Sequence, residues 1–230
     1  MHRSLIVPAL LLALAAPPVM AQETEPRTVT VTGEGSVEAV PDMATITLGV
    51  THEAESAKDA MGQTSQDVDR ILARLGGMGI ESRDMQTSGI TLNPVWSNYD
   101  GSDRNRITGF SASNTVTVRV RALDSLGGIL DAVVEDGANQ FNSLQFGVQD
   151  PDPLQDEALR RAIADGRDKA QLMSESAEVK LGDIRQMTEQ YGGGNGPVMM
   201  EMASARMSVP VAAGEVSVTA TVQMVFQIGG

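Results

Sequence analysis

The chain has 230 residues, with 30 acidic against 17 basic side chains, no cysteine and a formal net charge of −13. Such a surface repels nucleic acid and anionic membranes, because both carry the same sign. The missing cysteines exclude a disulfide framework and thiol chemistry, so stability must come from an apolar core.

Residues 1–21 read as a secretory signal. Arg3 supplies a positive start, Leu5 to Ala16 form an apolar run, and Pro17-Pro18 break it. Val19-Met20-Ala21 then places small or aliphatic residues where a signal peptidase inspects them. The apolar run is shorter than the roughly 20 residues that span a hydrocarbon core. Cleavage after Ala21 is therefore expected, leaving a domain over 22–230 that is periplasmic and carries no membrane span. Losing Arg3 leaves 16 basic against 30 acidic residues, a net charge of −14.

Strand patterns come first. Val29 and Val31 alternate with threonines, and Val37 and Ala39 resume the alternation beyond Gly33-Glu34-Gly35. After Pro41-Asp42 the residues Ala44, Ile46, Leu48 and Val50 again point one way, which reads as a hairpin with one buried face. Ala57, Ala60, Met61, Thr64, Val68, Ile71, Leu72 and Leu75 then recur at gaps of three and four, one face of a helix. Ser56 suits its cap and Gly76-Gly77 its end.

The order repeats. Ile90 and Leu92 mark one strand and Val116, Val118 and Val120 its partner, with a polar loop over 97–106 between them. Asp124 suits the cap of a short helix carrying Leu126, Ile129, Leu130, Val133 and Val134, and a strand with Leu144, Phe146 and Val148 follows. The prolines of Asp150-Pro151-Asp152-Pro153 open the longest helix, over 153–178. Its expected inner face is Ala158, Leu159, Ala162, Gly166, Ala170, Met173 and Ala177. A weaker strand surrounds Ile184 and Met187, the Gly- and Met-rich stretch 192–208 reads as a loop, and Val216 to Ile228 alternate without a fault. The fold class is α+β: a mainly antiparallel sheet with helices packed on one face, and a hairpin-then-helix order that occurs twice.

Val31-Thr32-Gly33-Glu34-Gly35, followed by Pro41-Asp42-Met43-Ala44, resembles the opening of the SIMPL domain family. Further blocks agree in order: Thr87-Ser88-Gly89-Ile90 with Asn93-Pro94, Thr108-Gly109-Phe110 with Ser113-Asn114-Thr115, and Asp136-Gly137-Ala138-Asn139. Phe146-Gly147-Val148 and the helix from Glu157-Ala158-Leu159 to Lys169-Ala170 complete the set. Phe110 stands where a Tyr is usual, and Glu178 where a Gly commonly closes the long helix. The resemblance implies a periplasmic or outer-membrane-associated protein linked to stress tolerance, in a family with ring-like or channel-like homo-oligomers. It implies no catalytic residue.

The residue inventory points the same way. His52 is the one histidine beyond the signal, at a strand end beside Glu53 and Glu55, with no nucleophile motif near it. One histidine and no cysteine are too few for a zinc site. The pairs Asp150 and Asp152, or Asp165 and Asp168, read as helix-start and solvated carboxylates. The 100–105 loop lacks the glycine and glutamate of a calcium loop, and 192–196 lacks the Gly-Lys-Ser/Thr of a phosphate loop. Met199, Met200, Met202 and Met207 are the candidate metal ligands, since soft thioethers hold Cu(I) and also absorb oxidants. The leading expectation is a non-enzymatic homo-oligomer of the envelope without cofactor, its subunit contact at the 192–208 or 97–106 loop. A copper-handling or oxidant-buffering protein and an enzyme of unrecognised type are the alternatives.

Overall fold

The computed structural model describes residues 27–96, 106–190, 197–198 and 212–229. In chain order the elements are β1 (Thr28–Ala39), β2 (Met43–Ala54), α1 (Ala57–Gly77), β3 (Met85–Trp96), β4 (Ile107–Val120) and α2 (Leu126–Glu135). Then come β5 (Gln140–Gly147), α3 (Asp152–Ser176), β6 (Lys180–Gln190), the short β7 (Pro197–Val198) and β8 (Glu215–Gly229). The α+β class holds, and each strand pairing is antiparallel.

The strands form two sheets. One has the order β1-β8-β6, with β7 also paired to β8, and the other has the order β3-β4-β2-β5. The hairpin expected of β1 and β2 is therefore not made. Val31 of β1 lies opposite Met224 of β8, while β2 lies between β4 and β5. Alternation shows which face of a strand is buried and is silent about its neighbour. The strand-strand-helix order does occur twice, but only β3 and β4 pair as a hairpin.

Each sheet buries one face under helices. Ala44, Ile46, Leu48 and Val50 of β2 join Val116, Val118 and Val120 of β4 beneath Val68, Ile71 and Leu75 of α1. Leu126, Ile129, Leu130 and Val133 of α2 close the same core. Burying each large aliphatic side chain here contributes about 2 kcal/mol. Ser56 caps α1 as expected, its hydroxyl accepting the Asp59 N–H at 3.1 Å. Asp124 does not cap α2. It lies in a 3-10 turn over Leu123–Ser125, and Ser125 takes the cap position.

The second core gathers Val31, Val222, Met224 and Phe226 against Ala162 and Ala170 of α3. This helix buries Ala158, Ala162, Gly166, Ala170 and Ser174, a stripe of small residues four apart. Met173, expected on that face, is 50% exposed, and Ala177 is exposed too. The four-residue stripe reaches Ser174 and turns both of them outward. Small residues are needed because α3 lies backbone to backbone on β1, across Gly33 and Gly35.

The three α-helices among the described residues end in the same way. In α1 the Ile80 N–H returns to Leu75 and the Gly79 N–H to Gly76, with Gly79 at φ 90°. In α2 the Ala138 N–H returns to Val133 and the Gly137 N–H to Val134, with Gly137 at φ 113°. These paired returns satisfy last-turn carbonyls and require a left-handed residue. Gly79 rather than Gly76-Gly77 thus terminates α1. In α3 the pattern recurs from Val179 to Ser174 and from Glu178 to Glu175, and the left-handed residue is Glu178 at φ 56°.

Candidate functional site

The ionisable side chains mostly hold the fold. His52 is not a solvated strand-end residue. Its Nε2 lies 2.7 Å from Asp67 Oδ2 on α1, and Arg70 pairs with the other Asp67 oxygen. Beneath them sits Gly137, where a Cβ would stand 2.6 Å from Asp67 Oδ2. Asp84, its side chain 3% exposed, takes both guanidinium hydrogen bonds of Arg121 at 2.7 Å. That pairing, helped by Arg83 and Arg119, holds its carboxyl below the usual range against the opposing effect of burial. Neither the His52–Asp67 nor the Asp84–Arg121 contact carried a local sequence signal, because in each the partners lie far apart along the chain.

The remaining candidates separate. Asp152 lies in the first turn of α3 and makes no capping hydrogen bond, and Asp150 is exposed before it. Asp165 is structural, whereas Asp168 is exposed. Among the described residues no group of three or more His, Asp or Glu side chains could hold a metal ion. Met199, Met200, Met202 and Met207, the 100–105 and 192–196 loops and residues 1–21 lie outside the described residues.

The Asp136-Gly137-Ala138-Asn139 block is a junction of three elements. Asp136 accepts from Arg74 Nε of α1 at 2.9 Å, which raises the Arg74 pKa. The Asn139 carboxamide accepts the Thr51 N–H at 2.8 Å and donates to the Thr51 carbonyl at 2.9 Å, continuing the ladder of β2 beyond β5.

Sheet edges are where a protein of this build meets others, and two of them differ sharply. The edge of β1 is closed. Lys169 Nζ donates to the Thr32 carbonyl at 3.1 Å, the Glu34 N–H donates to Asp165 Oδ2 at 2.8 Å, and Arg161 donates to the Ser36 carbonyl at 2.7 Å. One backbone group on each of three successive outward-facing residues of that strand is thus occupied by α3. Lys169 and the Glu34 N–H together hold the Asp165 carboxyl below the usual range.

Among the described residues nothing pairs with the outer edge of β3, and its inward face is apolar. Ile90 lies opposite Asn114 and Leu92 opposite Ala112, both of which are buried. Opposed residues share a face of a sheet, so Ile90 and Leu92 point to the helix side. Yet α1 packs mainly on β4 and β2 and meets β3 only marginally. Ile90 is 59% exposed, Leu92 42%, Trp96 53% and Ile107 47%. Behind them the Asn114 carboxamide oxygen is buried without a hydrogen-bond partner among the described residues. An apolar strip on a free edge strand is the feature of this chain best suited to a macromolecular contact.

Sequence comparison agrees with this architecture. The pattern of the SIMPL family, described as a protein of unknown function (DUF541), matches residues 29–226. The chain belongs to the SIMPL family. It is 36% identical to the 26 kDa periplasmic immunogenic protein of Brucella melitensis biotype 1, over 92% of this chain and 90% of that protein. It is 30% identical to the uncharacterized protein YggE of Escherichia coli K12, over 85% of this chain and 78% of that one. It is also 31% identical to YggE of Edwardsiella ictaluri, over 74% and 71% of the two chains. In this SIMPL chain the blocks that carry the resemblance fall at a close backbone approach and a helix end. The SIMPL glycines 33, 35 and 137 have structural reasons.

Proposed function

We propose that this SIMPL protein is exported to the periplasm and works without catalysis, as a homo-oligomeric assembly or binding protein in envelope stress. The observation that carries the assembly reading is the uncovered apolar strip of Ile90, Leu92, Trp96 and Ile107 on the free β3 edge. A second copy is the occupant proposed, since a strand edge offers the same unpaired groups to any copy of itself. Export is supported by the signal pattern of residues 1–21 and by the periplasmic name of the Brucella relative. The non-catalytic reading is supported by where the ionisable groups stand: His52 is hydrogen-bonded to Asp67 of α1, Asp84 is paired with Arg121, and Asp165 accepts the Glu34 N–H of β1. The stress role rests on the family resemblance.

The net charge of −14 sets copies against one another, so assembly tightens as salt screens the repulsion. Light scattering of the mature protein at low and moderate salt tests this. A mass above that of one chain is expected, rising with ionic strength and lost in Ile90→Lys/Leu92→Lys. A single chain of about 22 kDa at every salt and protein concentration would remove the assembly reading.

A further inference from the structure

At the seam between the two sheets, beside the first turn of α3, lies a cavity of about 380 Å³. Met43 of β2, Phe146 and Val148, Pro151, and Val216 and Val218 of β8 contribute its apolar wall. Val216 and Val218 are 5% and 3% exposed, so the floor of the cavity is part of the buried face of β8. Among the described residues that line it, none is charged. Its polar groups include the side chains of Thr45 and Gln145, which are direct cross-strand partners and so lie on one face. Neither of those two side chains has a hydrogen-bond partner among the described residues.

We infer that this cavity is a binding site for a neutral, mainly apolar small molecule with one hydrogen-bonding group. Four observations lead there. The volume falls in the range of small-molecule sites, roughly 300–1,000 Å³. A dry apolar cavity of about 150 Å³ already takes benzene, so this one has room for a two- or three-ring molecule. Water is a poor occupant, because it needs two to four polar partners and the wall is mostly apolar. The described lining carries no charged group, which selects against an ionised ligand, whose charge would be desolvated without compensation. The hydroxyl of Thr45 and the carboxamide of Gln145 then orient the polar end of the ligand. Gln145, the more exposed of the two, stands at the mouth. This site does not depend on the assembly proposed above, since the β3 strip contributes nothing to its wall.

The test uses N-phenyl-1-naphthylamine, a neutral dye whose emission rises in apolar surroundings, and its sulfonated relative 1-anilinonaphthalene-8-sulfonate. The mature protein should bind the neutral dye saturably, one per chain, and the sulfonate far more weakly. Two variants fill the cavity. Gly147→Leu is accommodated because a Cβ there meets only Met43 Cγ at 3.9 Å, and Thr45→Leu places a larger side chain on the wall. Both should lose saturable binding while keeping the wild-type circular dichroism spectrum, and Ile90→Lys/Leu92→Lys should keep binding. The inference is overturned if the wild-type protein binds no neutral dye, or if both folded filling variants bind it unchanged. Equal affinity for the sulfonate, or loss of binding in the Ile90→Lys/Leu92→Lys variant, overturns it as well.

Discussion

A side chain at Gly33 would begin 2.0 Å from the carbonyl oxygen of Ala162. The obstacle is helix backbone, which cannot swing aside as the tip of a side chain can. Gly33→Ala therefore pushes α3 away from β1 and weakens the contacts of Lys169, Asp165 and Arg161 with that strand edge. Overpacking of this kind costs about 3 kcal/mol. The expected result is a clearly lower urea midpoint, and an unchanged midpoint would refute the backbone-to-backbone packing.

Glu178 holds the left-handed position that Gly79 and Gly137 hold in the other two helices. A residue with a Cβ pays about 1–2 kcal/mol there, and the greater unfolded-state freedom of glycine returns part of it. Glu178→Gly should stabilise the protein by about 1 kcal/mol and raise the melting temperature by about 2–4 °C. Calorimetry measures both. A lower melting temperature would show that the Glu178 side chain contributes more than its backbone costs.

The Asp84–Arg121 pair predicts an acid limb of stability. Asp84 has a folded-state pKa below its ordinary value of 3.8. Its contribution is therefore complete above the unfolded pKa and is lost as pH falls through the lower, folded one. Urea midpoints measured from pH 6 down to pH 2 should fall below about pH 4. Asp84→Asn should start from a lower midpoint at pH 6 and lose less on acidification. Parallel curves for the two proteins would assign the acid limb to other carboxylates, with Asp165 and Glu157 next in line because their pKa values are also lowered.

Trp96 is the one tryptophan of the chain and is 53% exposed on the open hairpin. If the β3 strip is the subunit contact, its emission should shift to the blue as salt rises, in step with the mass from light scattering. Ile90→Lys/Leu92→Lys should hold the emission at its low-salt position. A rise in mass with no movement of the Trp96 emission would place the contact elsewhere.

How far these features could be read beforehand depends on their range in the chain. The inner faces of α1 and β8 were legible, because Ala60, Thr64, Val68, Ile71 and Leu75 recur at helical spacing and Val216 to Phe226 alternate. The role of Glu178 was legible in outline, as a position where the resemblance expects glycine. The pairing of β1 was not, because Val31 and Met224 are far apart in sequence and alternation names no partner. Nor was the bond between His52 and Asp67, since the pattern placed one on a strand and the other on a helix without placing either against the other.

The β3 strip shows the same division. Ile90 and Leu92 read simply as the apolar side of a strand, and an apolar side is ordinarily buried. Their exposure follows from how far α1 extends across the sheet, a quantity fixed by packing on β4 and β2. The cavity at Thr45 and Val218 likewise arises where two sheets meet, from residues more than 170 positions apart. Composition, signal pattern, the inner face of α1 and the family were thus determined by the sequence alone, because each depends on neighbours along the chain. Strand partners, uncovered faces and the space between sheets were decided by the tertiary structure, because each depends on which distant surfaces exclude water from one another.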